Sequence, residues 1–384
     1  MRPFIPILQA MYRWFIAHPL RIFLPLYILL LLAAETGVRY AWSGYVSPDR
    51  RNVVPDARVH HAYRPGTDFT TYPAPGDDFA PAHNTINALG MRGPLPAAKM
   101  GRRILLLGDS FVQADEVAFE QTFGQRLNAH FTPSIEFIAH GMVSWSPTPE
   151  FSWLHHRGIA LQPDEVVLFL CSNDFYRTTA FHQTDARYRE EAIYQGTLPI
   201  GYRLAPPTLW KKALRHSALL QLLRAGYGIA VAHAPLDPTP SQATIPGEII
   251  HLAKDATQWP NDLRANVDAT LAVVAEIDRY LRQREIALHI ALVPLPFAWP
   301  DEAVIGKQHP VYGWPASFSI SQRGLADFLG AFASDGDIGW IDLQTGFSQH
   351  KQQHPQRLFN GADGHWNEAG HRVVSEILRA YFSR

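Results

Sequence analysis

Ser110 stands in "RRILLLGDSFVQADEV" (102–117), in a Gly-Asp-Ser turn that directly follows a short continuous apolar run. A serine hydroxyl is a weak nucleophile until a neighbouring base takes its proton, so a catalytic Ser110 needs a partner elsewhere in the chain. The best candidate is His365 in "GADGHWNEAGH" (361–371), a Gly-rich turn before the last helical stretch, with Asp363 two residues upstream. Asp363 is placed to accept from His365 Nδ1 and leave Nε2 for Ser110. Each of these residues also has a plain structural reading: serine and histidine both cap helices, and His371 fits capping or packing. Acyl transfer further requires donors for a developing oxyanion. Gly141 in "IAHGMVSWSP" and Asn173 in "CSNDF" fall at the ends of two successive apolar runs. Glycine lets a backbone N–H approach closely, asparagine donates without charge, and either residue also serves as an ordinary turn former.

The elements that must position these groups are legible as apolar runs at 104–107, 135–139, 165–171, 287–293 and 338–343. Most read as strands buried on both faces, as in a parallel sheet. Helical periodicities lie between them: Phe119, Phe123, Leu127 and Phe131; then Val267, Leu271, Val274, Ile277 and Leu281; and at the C-terminus Val373, Val374, Ile377, Leu378 and Tyr381. The alternation predicts an α/β fold, a flavodoxin-like three-layer sandwich on a mostly parallel five-stranded sheet. Its ligands belong at the carboxyl ends of the strands. Residues 180–260 interrupt the rhythm and read as an insertion near those ends, a lid or substrate platform.

Composition limits the function classes. The 384 residues carry 34 Lys and Arg against 35 Asp and Glu, so the charge footprint of a nucleic-acid binder is missing. A single cysteine, Cys171, excludes an intrachain disulfide and a cysteine-based zinc site. The 18 histidines are scattered, and the adjacent pairs His60-His61 and His155-His156 do not share a helical face. No metal and no cofactor is expected. "IFLPLYILLLLAA" (22–34), with Arg2, Arg13 and Arg21 before it and Trp42 after it, predicts a transmembrane anchor once extended to Val38. A cleaved signal peptide and a core helix are the rival readings, and Leu32 sits poorly with cleavage after Ala34. The expected division is an anchor over 1–42, a Pro-rich connector or small irregular subdomain over 43–100, and a catalytic domain over 101–384.

Gly-Asp-Ser, then Gly141, then Asn173, then Asp363 and His365, in that order, resembles the SGNH (GDSL-like) hydrolase superfamily. "NTINALGMRGP" (84–94) is similar to the lead-in of its bacterial, N-terminally anchored members. The likeness spans roughly residues 84–175 and 335–384. It implies Ser110 as nucleophile, His365 as base and Asp363 as its orienter, with the oxyanion held by the Ser110 N–H, the Gly141 N–H and the Asn173 side chain. Two departures stand out: Asp363-Gly364-His365 replaces the common Asp-x-x-His spacing, and His140 precedes Gly141 as a candidate substrate contact. The implied activity is a metal-independent serine esterase on acyl, above all acetyl, esters of a glycan or other envelope substrate, with the catalytic domain on the periplasmic side. An O-acyltransferase acting on an exported polysaccharide and a catalytically silent carbohydrate-binding protein are the alternatives.

Overall fold

The computed structural model describes residues 13, 19–41, 52–73, 77, 79–176, 191–203, 217–220, 222–223, 247–302, 321–361 and 364–384. It divides into two compact units, one of residues 1–51 with 206–235 and one of residues 52–205 with 236–384. The elements in chain order are α1 (Pro19–Ala41), β1 (Val53–Asp56), β2 (His60–Tyr63), β3 (Asp68–Thr71), β4 (Ala82–Thr85), β5 (Arg102–Gly108), α2 (Ser110–Gln113) and α3 (Phe123–Phe131). They continue with β6 (Ile135–Gly141), α4 (Pro147–Trp153), β7 (Glu165–Leu170), α5 (Asn173–Tyr176), β8 (Glu191–Gln195), β9 (Leu198–Arg203), α6 (Gly247–Leu252) and α7 (Asn261–Arg282). The last are β10 (Ala287–Leu292), α8 (Arg323–Asp335), β11 (Gly339–Ile341), α9 (Leu343–Gln353) and α10 (Glu368–Phe382).

In the smaller unit, α1 is long and apolar enough over Phe23–Ala41 to cross a membrane. Its large apolar side chains, including Phe23, Leu29 and Leu30, are exposed. Glu35 accepts from the backbone N–H groups of Ala218 and Leu219 and from the Ser217 hydroxyl, which joins the helix to the start of another helical segment of that unit.

The larger unit is built on one five-stranded sheet of order β11-β10-β7-β5-β6, with every pairing parallel. The first strand of this sheet in the chain lies inside it and the second at its edge, which is the doubly wound flavodoxin-like order. Strand parity sorts the core into two layers. Leu105, Leu107, Val166, Leu168, Leu288 and Ile290 face Trp153, Val267, Val274, Ile277 and Leu329. Ile104, Leu106, Val167, Phe169 and Ile341 face Phe123, Leu127, Phe347, Val374 and Leu378. Being buried on both sides is why β5 and β7 read as unbroken apolar runs.

Three sequence expectations change in detail. The helix predicted from Phe119 starts at Phe123, because Phe119 belongs to a separate short turn of 3-10 helix. The 43–100 segment is not devoid of regular structure: β1 pairs with β2 and β3 with β4 as antiparallel hairpins, each strand only four residues long and so too short for periodicity to register. The 180–260 insertion contributes a third hairpin, β8-β9, to the larger unit, whereas most of the rest of it lies outside the described residues.

Candidate active site

Ser110 is the first residue of α2, immediately beyond the carboxyl end of β5. Asp109, not Ser110, is the cap: its carboxylate accepts from the Phe111 N–H at 2.9 Å. The serine hydroxyl is thereby left to the cleft, and its own N–H is among those a helix start leaves without an intrahelical acceptor. Asp109 is buried at 3% exposure, which pushes its carboxyl up to about 6, although the Phe111 N–H, the charge of His365 and the Cys171 thiol oppose that rise. Two further buried acids, Glu150 and Asp174, lie close enough to feel each other and Asp109, and burial raises both well above the carboxylate range.

His365 approaches from the other end of the chain. Its Nε2 lies 2.8 Å from Ser110 Oγ. The loop that carries it is held on several sides. Asn360 N–H donates to the His365 carbonyl at 2.8 Å, Phe359 pairs with Trp366, and Trp366 Nε1 donates to the Pro294 carbonyl at 3.2 Å. Gly364, at φ 76°, supplies the left-handed turn that a side chain would strain. Phe111 contacts both the His365 ring (4.8 Å between centroids) and the Trp366 ring (5.0 Å), so the helix of Ser110 and the loop of His365 share one aromatic contact. His371 is a packing residue: it stacks on Phe123 and burial lowers it to about 3.

Asp363 lies outside the described residues. A carboxylate that sequence reasoning passed over, Glu116, has its Oε1 3.6 Å from His365 Nδ1. Its position is set by the lead-in segment. Arg92 donates to the carbonyls of Ala114 and Val117, Asn84 donates to the Asp115 carbonyl at 3.1 Å, and Tyr63 donates to the Asp115 carboxylate. The one available signal was its place six residues after Ser110, in the "DEV" that closes the motif.

The sites expected to bind an oxyanion divide. Asn173 opens α5 at the end of β7, the strand beside β5, and its buried Oδ1 has no hydrogen-bond partner among the described residues. Gly141 pairs with Gly108, and the Met142 N–H donates to the Gly108 carbonyl at 3.3 Å. Successive N–H groups on a strand point to opposite sides, so the Gly141 N–H faces the outer edge of the sheet, away from β5 and Ser110. Its lack of a side chain serves packing instead: a Cβ there would lie 2.2 Å from the Asp109 carbonyl and 2.7 Å from the Gln113 nitrogen. His140 is likewise no substrate contact. It is buried, stacked on Trp153 at 4.2 Å and edge-on to Trp145, and burial lowers it to about 3. Among the described residues no group of three or more potential metal ligands comes together.

No family model and no curated protein matches the chain. Among solved structures it is similar to a member of the lipolytic protein G-D-S-L family from Veillonella parvula DSM 2008, at 14% identity and TM-score 0.37, over 74% of this chain and 100% of that one. It is similar to the acetyl xylan esterase AlAXEase at 14% identity and TM-score 0.39, over 73% and 98% of the two chains. A catalytic mutant of an acetylxylan esterase from Geobacillus stearothermophilus matches at 12% identity and TM-score 0.37, over 74% and 95%. At such scores the superpositions are loose. The architecture therefore stands on its own strand order, and the chemistry on the side chains above.

Proposed function

We propose that this chain is a serine ester hydrolase with Ser110 as nucleophile and His365 as general base. The observation that carries the reading is the 2.8 Å contact between Ser110 Oγ and His365 Nε2, made across 255 positions of sequence at the carboxyl edge of a parallel sheet. With the Nδ1 proton retained, Nε2 accepts the serine proton as Oγ attacks the ester carbonyl, then returns a proton to the leaving alcohol. Water repeats the sequence and releases the acid. The Ser110 N–H and the Asn173 amide stabilise the oxyanion. Asp363 remains the orienter implied by the family resemblance, and Glu116 supplies a second negative charge against the imidazolium. Acetyl esters on a glycan are the substrates to try first, with α1 holding the catalytic unit at an envelope membrane.

The test is labelling of the full chain with a fluorophosphonate and location of the adduct by mass spectrometry. Modification at Ser110, absent in Ser110→Ala, is expected; no adduct, or one elsewhere, overturns the reading. Transfer to a sugar hydroxyl would use the same two residues, so acetate release measured against acetylation of added oligosaccharide separates hydrolase from transferase.

A further inference from the structure

α1 carries one feature that crossing a membrane does not require. Its candidate span, Phe23–Ala41, is about 28 Å long at 1.5 Å per residue. Nearly all of it is bare: of the described side chains in that stretch, Phe23, Leu24, Tyr27, Leu29 and Leu30 among them, only Glu35 and Val38 are not exposed. Three positions apart, these two share one helical face. An acid within an apolar span is costly, and such residues occur where a specific partner receives them. A helix that serves only as an anchor, or a leader that is cut away, has no need of an acid there.

The partner is the stretch of described residues 217–220 and 222–223, part of the 180–260 insertion and of the same compact unit as α1. Both oxygens of the Glu35 carboxylate are engaged. Oε1 accepts from the Ala218 N–H at 2.7 Å and pairs with Arg39, one turn on, at 2.7 Å; Oε2 accepts from the Leu219 N–H at 2.9 Å and from the Ser217 hydroxyl at 2.8 Å. Ser217 Oγ in turn accepts from the Leu220 N–H at 3.1 Å, so one acid fixes the start of this segment. Next to these bonds Val38 and Ala218 are buried together, with Leu219 and Leu222 packed against them. Leu223 is 60% exposed, as bare as the apolar side chains of α1. Charge-assisted bonds to successive backbone N–H groups are directional, so the acid selects this segment rather than any apolar helix.

Chain length decides how the segment meets the membrane. Residues 206–235 leave the sequence of the larger unit, join α1 in the smaller one and return. Two crossings of a bilayer take about 40 residues, whereas this excursion has 30, so it enters and leaves on one side. Among the described residues no helix other than α1 is long and apolar enough to cross, so that side is the one on which the chain leaves α1. Glu35 stands six residues before the end of α1 at Ala41, about 9 Å in from it along the helix axis. The contact therefore falls in the part of the span closest to where the chain emerges.

We propose that Glu35 and Val38 form a docking site that seats the 217–223 segment in the near half of the bilayer. This makes α1 a permanent part of the protein and ties the catalytic unit to the membrane through the insertion as well as through residues 42–51. The membrane half rests on the reading of α1 as an anchor; the docking does not, and neither depends on the ester chemistry. The test uses the full chain with an N-terminal affinity tag and a site-specific protease sequence inserted after Ser47, between α1 and β1. After cutting in detergent, the large fragment should stay with the tagged one on affinity resin. Glu35→Ala should lower the retained share about tenfold, and Leu219→Asp, on the other side of the contact, should do the same, while the main tryptophan-fluorescence melt keeps its midpoint. A large fragment washed away from the unaltered protein, or retained equally with and without Glu35, overturns the proposal. Flotation with phosphatidylcholine vesicles supplies the membrane arm: the cut, unaltered large fragment should rise with the lipid and the cut Glu35→Ala fragment should stay below. An unaltered fragment that stays below overturns the second tie. Should even the uncut chain stay below, the anchor reading fails and takes the membrane half with it, while the affinity arm still decides the docking.

Discussion

Replacing Asp109 by Asn probes the electrostatic cost of the acid beside Ser110. The side chain keeps its shape, and its amide oxygen can still accept from the Phe111 N–H, so the start of α2 should survive. What disappears is a titratable group whose carboxyl stands at about 6 in the folded protein against 3.8 ordinarily. A carboxyl raised by folding contributes stability that is complete below the unfolded value, declines as pH climbs between the two values, and is gone above the folded one. That difference of about two pH units corresponds to about 3 kcal/mol, at 1.36 kcal/mol per unit. Other groups titrate over the same range: Asp115, also near 6, acts with the same sign, while His140 and His371, lowered to about 3, act with the opposite one. The informative quantity is therefore the difference between the two proteins. In urea unfolding followed by tryptophan fluorescence, Asp109→Asn should lose about 2 kcal/mol less stability than the unaltered chain between pH 4 and pH 7.5. It should also be the more stable protein at pH 7.5, and Ser110 should still take up the fluorophosphonate. Parallel pH profiles for the two proteins would refute the claim that Asp109 is a strained buried acid.

Asn173→Ala should lower kcat on an acetyl ester by a factor of hundreds, about 3 kcal/mol in the barrier, with fluorophosphonate labelling slowed but still at Ser110; a loss under threefold would remove Asn173 from the oxyanion site. Gly141→Ala forces a Cβ onto backbone atoms of α2, so thermal melts should show destabilisation of about 1 to 3 kcal/mol or more together with lost activity, whereas an unshifted midpoint would contradict the packing described. Asp363→Asn and Glu116→Gln separate the two acids near the imidazole. The first should lower kcat/KM at pH 7.5 by a factor of thousands and the second by only about tenfold, because Glu116 sits beyond hydrogen-bond reach at 3.6 Å; the reverse order would transfer the orienting role to Glu116.

Much of this protein is readable along the chain because the signals are local. Strands buried on both faces must be apolar at every position, so β5 and β7 stand out without any knowledge of their neighbours. The 3.6-residue rhythm of α7 and α10 likewise records one buried face each. Gly-Asp-Ser after β5 and the Gly-rich turn around His365 drew attention because their residue types suit nucleophile and base. The residues that escaped did so because their meaning is spatial. Glu116 is an ordinary acid until Asn84, Arg92 and Tyr63 carry its loop to the His365 ring. Gly141 resembles a donor in sequence, and only the hydrogen-bond register shows which way its N–H points. His140 gave no hint that two tryptophans enclose it.

By itself, then, the sequence determined the fold class, the order of the five strands along the chain and the apolar N-terminal segment, and it singled out Ser110 and His365 as candidates, since composition, period and turn chemistry are written residue by residue. The tertiary structure alone decided that these two side chains meet at 2.8 Å, that Asp109 pays for its place in a buried environment, and that Glu35 receives the backbone of Ala218 and Leu219. Distances between segments hundreds of residues apart depend on which faces pack together, and no local pattern encodes them.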